Sequence, residues 1–288
     1  MRDKNTVFQV KKTINARGRL LDLSSPKVMG ILNITPDSFF AGSRLSSLDE
    51  AEAVAEKMLR DGADILDLGA YSSRPGAADI TAEEEKQRLL PVIMRLSSKF
   101  PQAILSVDTF RACVAEAAIG EGAHMINDIS GGELDPAMFE TVARLQVPYI
   151  LMHMKGTPQT MNSLAEYDDL VQEVMGYLIE KTGRLRELGL NDIIIDPGFG
   201  FAKKKNHNFS LLKSGSRLKA LGLPILAGLS RKRTIWETLG TTAADALNGT
   251  TVLNTIALMQ GADILRVHDV KEAVEAVRLV TAFGSAAG

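Results

Sequence analysis

The sequence has little of three things: cysteine, net charge and long apolar runs. One cysteine in 288 residues, Cys113, leaves no intrachain disulfide to form, which excludes a disulfide-stapled scaffold. Lysine and arginine number 33 against 35 aspartate and glutamate, so there is no basic footprint for nucleic acid, and none is expected as a partner. No run approaches the roughly 18 apolar residues that a membrane span needs. The first residues, MRDKNTVFQVKK, carry charge without the apolar centre of a secretory leader. A cytoplasmic protein with no membrane partner is expected. The four histidines, His124, His153, His207 and His268, lack paired spacing, which argues against a metal held by protein ligands alone. Cys113 sits in RACVAEAA, which reads as helix, and is expected to be inert packing. His124 is likewise expected to pack.

What is present is a repeat. Short apolar, β-branched runs recur, and nearly every one stops at a polar residue: VMGILN, DILDLG, AILSVD, HMIND, YILMH, DIIIDPG, PILAGLS and DILRVHD. Between them lie segments with helical spacing of apolar positions, among them SLDEAEAVAEKMLRDGA, TFRACVAEAAIGEGA, DLVQEVMGYLIEKTGRLRELG and ADALNGTTVLNTIALMQGA. Several end at a glycine just before the next strand (DGAD, EGAH, LGLND, QGAD), which suits a left-handed stop. Alternating β and α elements with continuous apolar strands imply a parallel sheet covered on both faces. Eight units predict a closed (β/α)₈ TIM barrel over residues 1–288 as one domain, since such barrels use roughly 200 to 250 residues as one unit. A doubly wound open sheet is the other solution, but no GxGxxG follows the first strand. Residues 5–25 read as an N-terminal β-hairpin that plugs the barrel's N-terminal end.

Barrels of this kind carry their sites at the C-terminal ends of the strands. The tips here are Asn33, Asp67, Asp108, Asn127, His153, Asp196, Ser230, and Arg266 with His268. Any one of them could be a helix cap, and Asp67 reads as the structural member. Chemically the mouth divides in two. Asp108, Asn127, Asp196 and Lys232 offer carboxylates, an amide and one ammonium, a set that suits a flat heterocycle with an amino group, a ring NH and a carbonyl. Asn33, Ser73, Arg74, Arg266 and His268 supply neutral and cationic donors with no carboxylate expected nearby, which suits phosphate. Mg²⁺ held by Asn33 and substrate phosphates is compatible with that ion's habit of keeping waters. Ser230, His268 and Asp108 could be drawn as a triad, but no GxSxG accompanies them. The run Lys203–Lys205 reads as a solvated loop from which one lysine could reach the site.

Eight motifs, GILNITPDSF, SSRPGA, SVDTFR, INDISGG, MHMKGTPQTM, DPGFGF, GLSRK and RVHDV, give the chain over residues 8 to 282 a resemblance to the dihydropteroate synthases. The resemblance implies a barrel that joins p-aminobenzoate to 6-hydroxymethyl-7,8-dihydropterin pyrophosphate with Mg²⁺, and a homodimer through helices near the C-terminal end. By position it gives Asp108, Asn127, Asp196 and Lys232 to the pterin, with Met152, Phe201 and Gly228 lining its pocket. It gives Asn33, Arg266 and His268 to the pyrophosphate, Asn33 also to Mg²⁺, and Ser73, Arg74 and Ser230 to the aminobenzoate side. Asn33 would then be a strand tip, and TPDSFF the start of a loop whose Phe39 closes over the second substrate. The chain departs from the family where Phe40, Ala41, Gly42 and Ser43 replace Ser-Asp-Gly-Gly, Ser73 replaces threonine, and Tyr71 replaces glutamate. Ala202 and Lys203 follow DPGFGF, and Lys204 stands where threonine is usual. Two rival readings are a pterin-dependent methyltransferase, which would need neither SRK nor RVHDV, and a paralogue that binds pterin without condensing it, suggested by Ala41.

Overall fold

A computed structural model describes residues 11–34, 44–71 and 79–286. It opens with an antiparallel hairpin, β1 (Thr13–Ala16) and β2 (Arg19–Asp22). Its two connecting residues, Arg17 and Gly18, have φ of 54° and 87°. Two positive angles in a two-residue loop match the twist of the flanking strands, and Asn15 Oδ1 accepts the Gly18 N–H at 2.7 Å. The expected start of this hairpin at residue 5 lies outside the described residues.

The repeat then runs β3 (Lys27–Asn33), α1 (Arg44–Arg60), β4 (Ile65–Gly69), α2 (Ala82–Lys99), β5 (Ile104–Asp108), α3 (Ala112–Gly120), β6 (Met125–Asp128), α4 (Met138–Leu145) and β7 (Tyr149–Met152). It continues with α5 (Leu170–Glu187), β8 (Ile193–Asp196), α6 (Lys205–Lys213), α7 (Gly215–Leu218), β9 (Leu226–Ala227), α8 (Arg233–Leu239), α9 (Leu247–Met259), β10 (Ile264–Val267) and α10 (Val270–Ser285). The sheet is parallel, in the order β8-β7-β6-β5-β4-β3-β10-β9. A parallel bridge between Ile195 and Ile225 joins its two ends, with the Ile195 N–H donating to Pro224 O at 2.9 Å. The barrel is closed, as the repeat predicts. β9 is shorter than the run PILAGLS suggests, and Pro224 has no N–H to add to the ladder. The four expected glycine stops hold: Gly62, Gly122, Gly189 and Gly261 have φ between 86° and 110°.

Period-two alternation sends one residue in two into the barrel. The lowest interior layer takes one apolar residue from each strand: Met29, Ile65, Ile104, Met125, Ile150, Ile194, Leu226 and Ile264. Ile14, Ala16, Leu21 and Leu23 of the hairpin pack onto that layer, so the hairpin plugs the N-terminal end. Two residues further along the same strands stand Asp67, Ser106, Asn127, Asp196 and Arg266 among Ile31, Met152 and Gly228. The interior therefore changes from apolar to polar within one step of the pleat. Ile14→Val should lower unfolding stability by about 1 kcal/mol, the cost of one buried methylene. Because Ile14 lies at the end away from the polar layer, kcat/KM should not move, and urea titration with a rate assay checks both.

Two packing expectations divide. His124 is buried, its Nδ1 accepts the Leu105 N–H at 3.2 Å, and burial pushes its pKa down to about 4. Cys113, by contrast, is exposed. Its neighbours Ala112 and Val114 take the inward face of α3, leaving the thiol on the outer one.

Candidate active site

The polar layer is organised around Asp67. Its carboxylate is fully buried, and Oδ2 accepts from Asn127 Nδ2 at 2.9 Å and from Arg266 Nε at 2.6 Å. Arg266 then donates through Nη2 to Asp108 Oδ2 at 2.7 Å. This corrects the expectation that the cationic group has no carboxylate nearby. Arg266 rises from β10, and its long side chain crosses in front of β3 to reach β4 and β5. Asp67 is the structural member, as its position suggests. Burial pushes the Asp108 pKa up to about 7, against the pull of Arg266 and with Asp67 adding to the rise. Burial works against the Arg266 charge too, but Asp67 and Asp108 outweigh it and hold the guanidinium firmly protonated. Asp67 Oδ1 and Ser106 Oγ are buried without a hydrogen-bond partner among the described residues.

Asn127 and Asp128 show why a strand end has to be read by face. Asn127 turns inward to Asp67. Asp128 holds the loop, accepting from Ser130 N at 2.7 Å, Gly132 N at 2.9 Å and the Tyr149 hydroxyl at 2.6 Å.

The other wall is built from β8, β9 and the loops after them. Asp196 is buried, and its Oδ1 accepts the Gly198 N–H at 2.7 Å. Its Oδ2 lies 4.0 Å from where a Cβ on Gly228 would stand, and Lys232 Nζ lies 3.9 Å from the same point. Gly228 thus leaves open the space onto which both groups face. Lys232 Nζ donates to Phe199 O and sits 4.8 Å from the centre of the Phe201 ring, within cation–π range. Gly200 has φ of 79°, and a Cβ there would stand 3.0 Å from Lys232 Cδ, so glycine is favoured on both counts. Phe201 packs against the apolar cluster that contains Met152 and Ile129. Burial raises the Asp196 pKa, opposed first by Lys232. Burial draws Lys232 down to about 8, opposed by Asp196.

At the rim, Ser230 Oγ lies 3.0 Å from His268 Nδ1 and accepts the His268 N–H at 3.2 Å. Two members of the paper triad therefore meet, while the Asp108 carboxylate is engaged by Arg266. Asn33 ends β3 with its side chain exposed. Phe39, Ser73 and Arg74 lie outside the described residues, as do the departures at Phe40, Ala41, Gly42 and Ser43. Tyr71 packs edge-on to Phe110 at 4.9 Å, and its hydroxyl accepts from Gln159 Nε2 at 3.1 Å.

Two residues carry weight that the sequence reading did not give them. Arg231, between Ser230 and Lys232, has φ of 53° and forms a fork on Asp269, with Nε and Nη2 both at 2.9 Å. It also donates to Ala243 O at 2.9 Å, tying the loop after β9 to the one after β10. Lys203 is the second. The lysine run is not uniformly solvated: Lys204 is exposed in its side chain, but Lys203 is buried. Its Nζ lies 3.0 Å from His153 Nδ1.

The arrangement is a half-buried mouth with fixed hydrogen-bonding groups on one wall and donors on the other, able to orient a flat polar ring and hold an anion beside it. A profile of the family described as pterin binding enzyme matches residues 29–268. The dihydropteroate synthase of Escherichia coli strain K12 is 45% identical over 273 residues, covering 94% of this chain and 96% of that protein. A Xanthomonas albilineans dihydropteroate synthase solved with 4-aminobenzoic acid superposes with a TM-score of 0.89 at 40% identity, covering 96% and 99% of the two chains. A structure of the synthase from the same organism in complex with 7,8-dihydropteroate gives 0.86 at 38% identity, covering 96% and 100%.

Proposed function

The chain belongs to the pterin-binding enzymes and, among them, to the dihydropteroate synthases, and on that footing we propose how its residues divide the reaction. It is a transferase that condenses 6-hydroxymethyl-7,8-dihydropterin pyrophosphate with p-aminobenzoate, giving 7,8-dihydropteroate and pyrophosphate in folate synthesis. The pterin lies over Gly228, between Asp196 with Lys232 and the Asp108–Asn127 pair. The observation that carries this reading is the Asp196 carboxylate. One oxygen is taken by Gly198, and the other faces the same open space as the Lys232 ammonium. A carboxylate accepts from the ring's amino and NH groups, and an ammonium donates to its carbonyl. Met152 and Phe201 supply the apolar wall.

The pyrophosphate is given to Asn33, His268 and the Arg266 N–H groups that the two carboxylates leave over. The bond between the pterin methylene and the pyrophosphate oxygen breaks first, and the oxygen keeps the electron pair. The dihydropterin spreads the resulting positive charge. The aniline nitrogen of p-aminobenzoate then forms the new C–N bond and releases a proton. Fixed donors aimed at the departing oxygen lower this barrier by about 3 to 4 kcal/mol per group. Asp108, with its pKa near 7, is the carboxyl able to take or hold a ring proton at neutral pH. Ser230, with Ser73, Arg74 and Phe39, is assigned to the aminobenzoate side.

Asn33 fits Mg²⁺ as a single neutral oxygen ligand on an exposed strand tip, because that ion keeps waters and prefers substrate phosphates to an all-protein cage. When bound, Mg²⁺ would neutralise charge on the pyrophosphate. Among the described residues, no group of three or more His, Cys, Asp or Glu could hold it instead.

A homodimer is proposed through α9 and α10, which leave Val252, Ile256, Met259, Leu279 and Phe283 exposed. Apolar area of this kind calls for cover, and a monomer at micromolar concentration in sedimentation would remove the proposal. No helix of the described residues is long and apolar enough to cross a membrane. A cytoplasmic setting is proposed, in keeping with the single cysteine.

Calorimetry tests the division of the mouth. Lys232→Met should weaken binding of a phosphate-free hydroxymethyldihydropterin by about tenfold or more, the worth of one charge-assisted hydrogen bond. Binding of inorganic pyrophosphate with Mg²⁺ should stay within about twofold, since that ligand uses the other donors. Equal losses for the two ligands would merge the two sides and end this assignment.

A further inference from the structure

Behind the ring wall lies a lysine that none of these steps uses, its pKa drawn down to about 7 by burial against the pull of Asp196. Lys203 is 8% exposed. Its Nζ donates to Phe201 O at 3.0 Å and to His153 O at 3.4 Å, and it lies 3.0 Å from His153 Nδ1. Three acceptors match the three N–H groups of an ammonium. Burial, with Lys203 adding to it, pushes the His153 pKa down to about 2, so the imidazole stays neutral, and its Nε2-protonated tautomer offers Nδ1 as an acceptor.

The acceptors belong to two neighbouring strand ends. His153 follows β7, and Phe201 lies in the loop after β8. That loop delivers the Asp196 carboxylate, the Phe199 carbonyl on Lys232, and the Phe201 ring. It is also held to His153 elsewhere. The His153 N–H donates to Asp196 O at 3.0 Å, and a Cβ on Gly198 would stand 2.0 Å from His153 O and 3.2 Å from Lys203 Nζ. The chain turns through positive φ at Gly198, Gly200 and Ala202, the last at 48°, a conformation costly for a residue with a Cβ. Tyr167 donates its hydroxyl to Ala202 O at 2.9 Å from the outer side. A loop bent this sharply turns carbonyls inward, and a buried carbonyl needs a donor. Lys203 is the donor that serves both of these strand ends together.

We propose that Lys203 is a positioning residue for the pterin: its side-chain amino group ties the loop from Asp196 to Phe201 onto the end of β7, in the shape that receives the ring. The proposal rests on the reading of Asp196 as the pterin's acceptor. Lys203 itself stays behind the wall and acts through the groups the loop carries.

Lys203→Met and Asp196→Asn, made in the full chain, test it side by side by calorimetry with phosphate-free hydroxymethyldihydropterin and by steady-state kinetics. Lys203→Met should bind that pterin about tenfold more weakly, with KM for the pyrophosphate ester rising to match. Its kcat and its KM for p-aminobenzoate should stay within about twofold, because neither depends on this loop. A folded Lys203→Met with unchanged pterin affinity, beside an Asp196→Asn that loses affinity, overturns the positioning role alone. If neither substitution weakens the pterin, the reading of Asp196 has failed. Equal loss for both substrates together with a lower Tm would make Lys203 a general packing cation and also overturn the proposal. Should Lys203→Met not fold, Lys203→Gln keeps N–H donors for the two carbonyls without the charge. It should show a pterin-selective loss of about threefold, and no selective loss would overturn the proposal equally.

Discussion

Arg266→Ala is expected to lower kcat/KM for the condensation by two to three orders of magnitude, about 3 to 4 kcal/mol, the usual consequence of removing one fixed donor from charge that develops in the transition state. The guanidinium serves the pyrophosphate, but it also lies between Asp67 and Asp108 at 2.6 and 2.7 Å. Without it, the buried Asp67 carboxylate and the half-buried Asp108 carboxylate have no cation between them. Binding of a phosphate-free pterin should therefore weaken along with binding of pyrophosphate, because Asp108 stands on the ring side. Asp108 already has its pKa raised to about 7, and removing the group that pulls it down raises it further. A carboxyl whose folded pKa lies above its unfolded value costs stability as pH rises from the unfolded value through the folded one. The Tm gap between wild type and Arg266→Ala should accordingly be small near pH 5 and wide near pH 8. A gap that does not change with pH, or an unchanged affinity for phosphate-free pterin, would show that Arg266 does not support Asp108.

Much of this site is legible in the sequence because barrel strands have a simple grammar. A residue's face follows from its parity, and its height from its distance along the strand. Asp108, Asn127, Asp196 and Arg266 can be placed at one mouth on those two rules alone. The hairpin is legible for the same reason, since a two-residue turn with Gly18 leaves few alternatives. What the rules do not reach is lateral contact. Arg266 bonds Asp67 and Asp108 across 199 and 158 residues of chain. That pairing depends on barrel closure and on a side chain long enough to cross β3, and neither is a local property. Lys203 hides for a different reason. Three consecutive lysines read as solvent-facing, and only the turn through Gly198 and Gly200 carries the first of them inward. Arg231 resembles its neighbours in GLSRK as one more basic group, but its φ of 53° aims it away from the mouth at Asp269. Cys113 falls on the outer face of α3 because a helix that is apolar nearly all round gives no sequence signal of which side is covered.

Asp196→Asn is expected to weaken the pterin by about 1.5 to 3 kcal/mol, the range for a hydrogen bond to a charged group. An asparagine has the same shape but only one acceptor oxygen. If that oxygen takes the Gly198 N–H, which Oδ1 of Asp196 holds at 2.7 Å, the amide NH₂ faces the ring's own donors and the Lys232 ammonium. If the amide turns over, NH₂ meets the Gly198 N–H instead. Either orientation sets donor against donor in a buried place, where an unmade hydrogen bond is costly. The loss should also become pH-dependent through Lys232. Burial pulls that lysine down to about 8, and Asp196 is the first group opposing the pull. With the carboxylate gone, Lys232 falls further and gives up its proton at a lower pH, so the ring carbonyl loses its ammonium donor earlier. Calorimetry at pH 6 and pH 8 should find the variant's deficit larger at the higher pH. A folded Asp196→Asn that binds pterin as well as wild type at both values would remove Asp196 from the ring site.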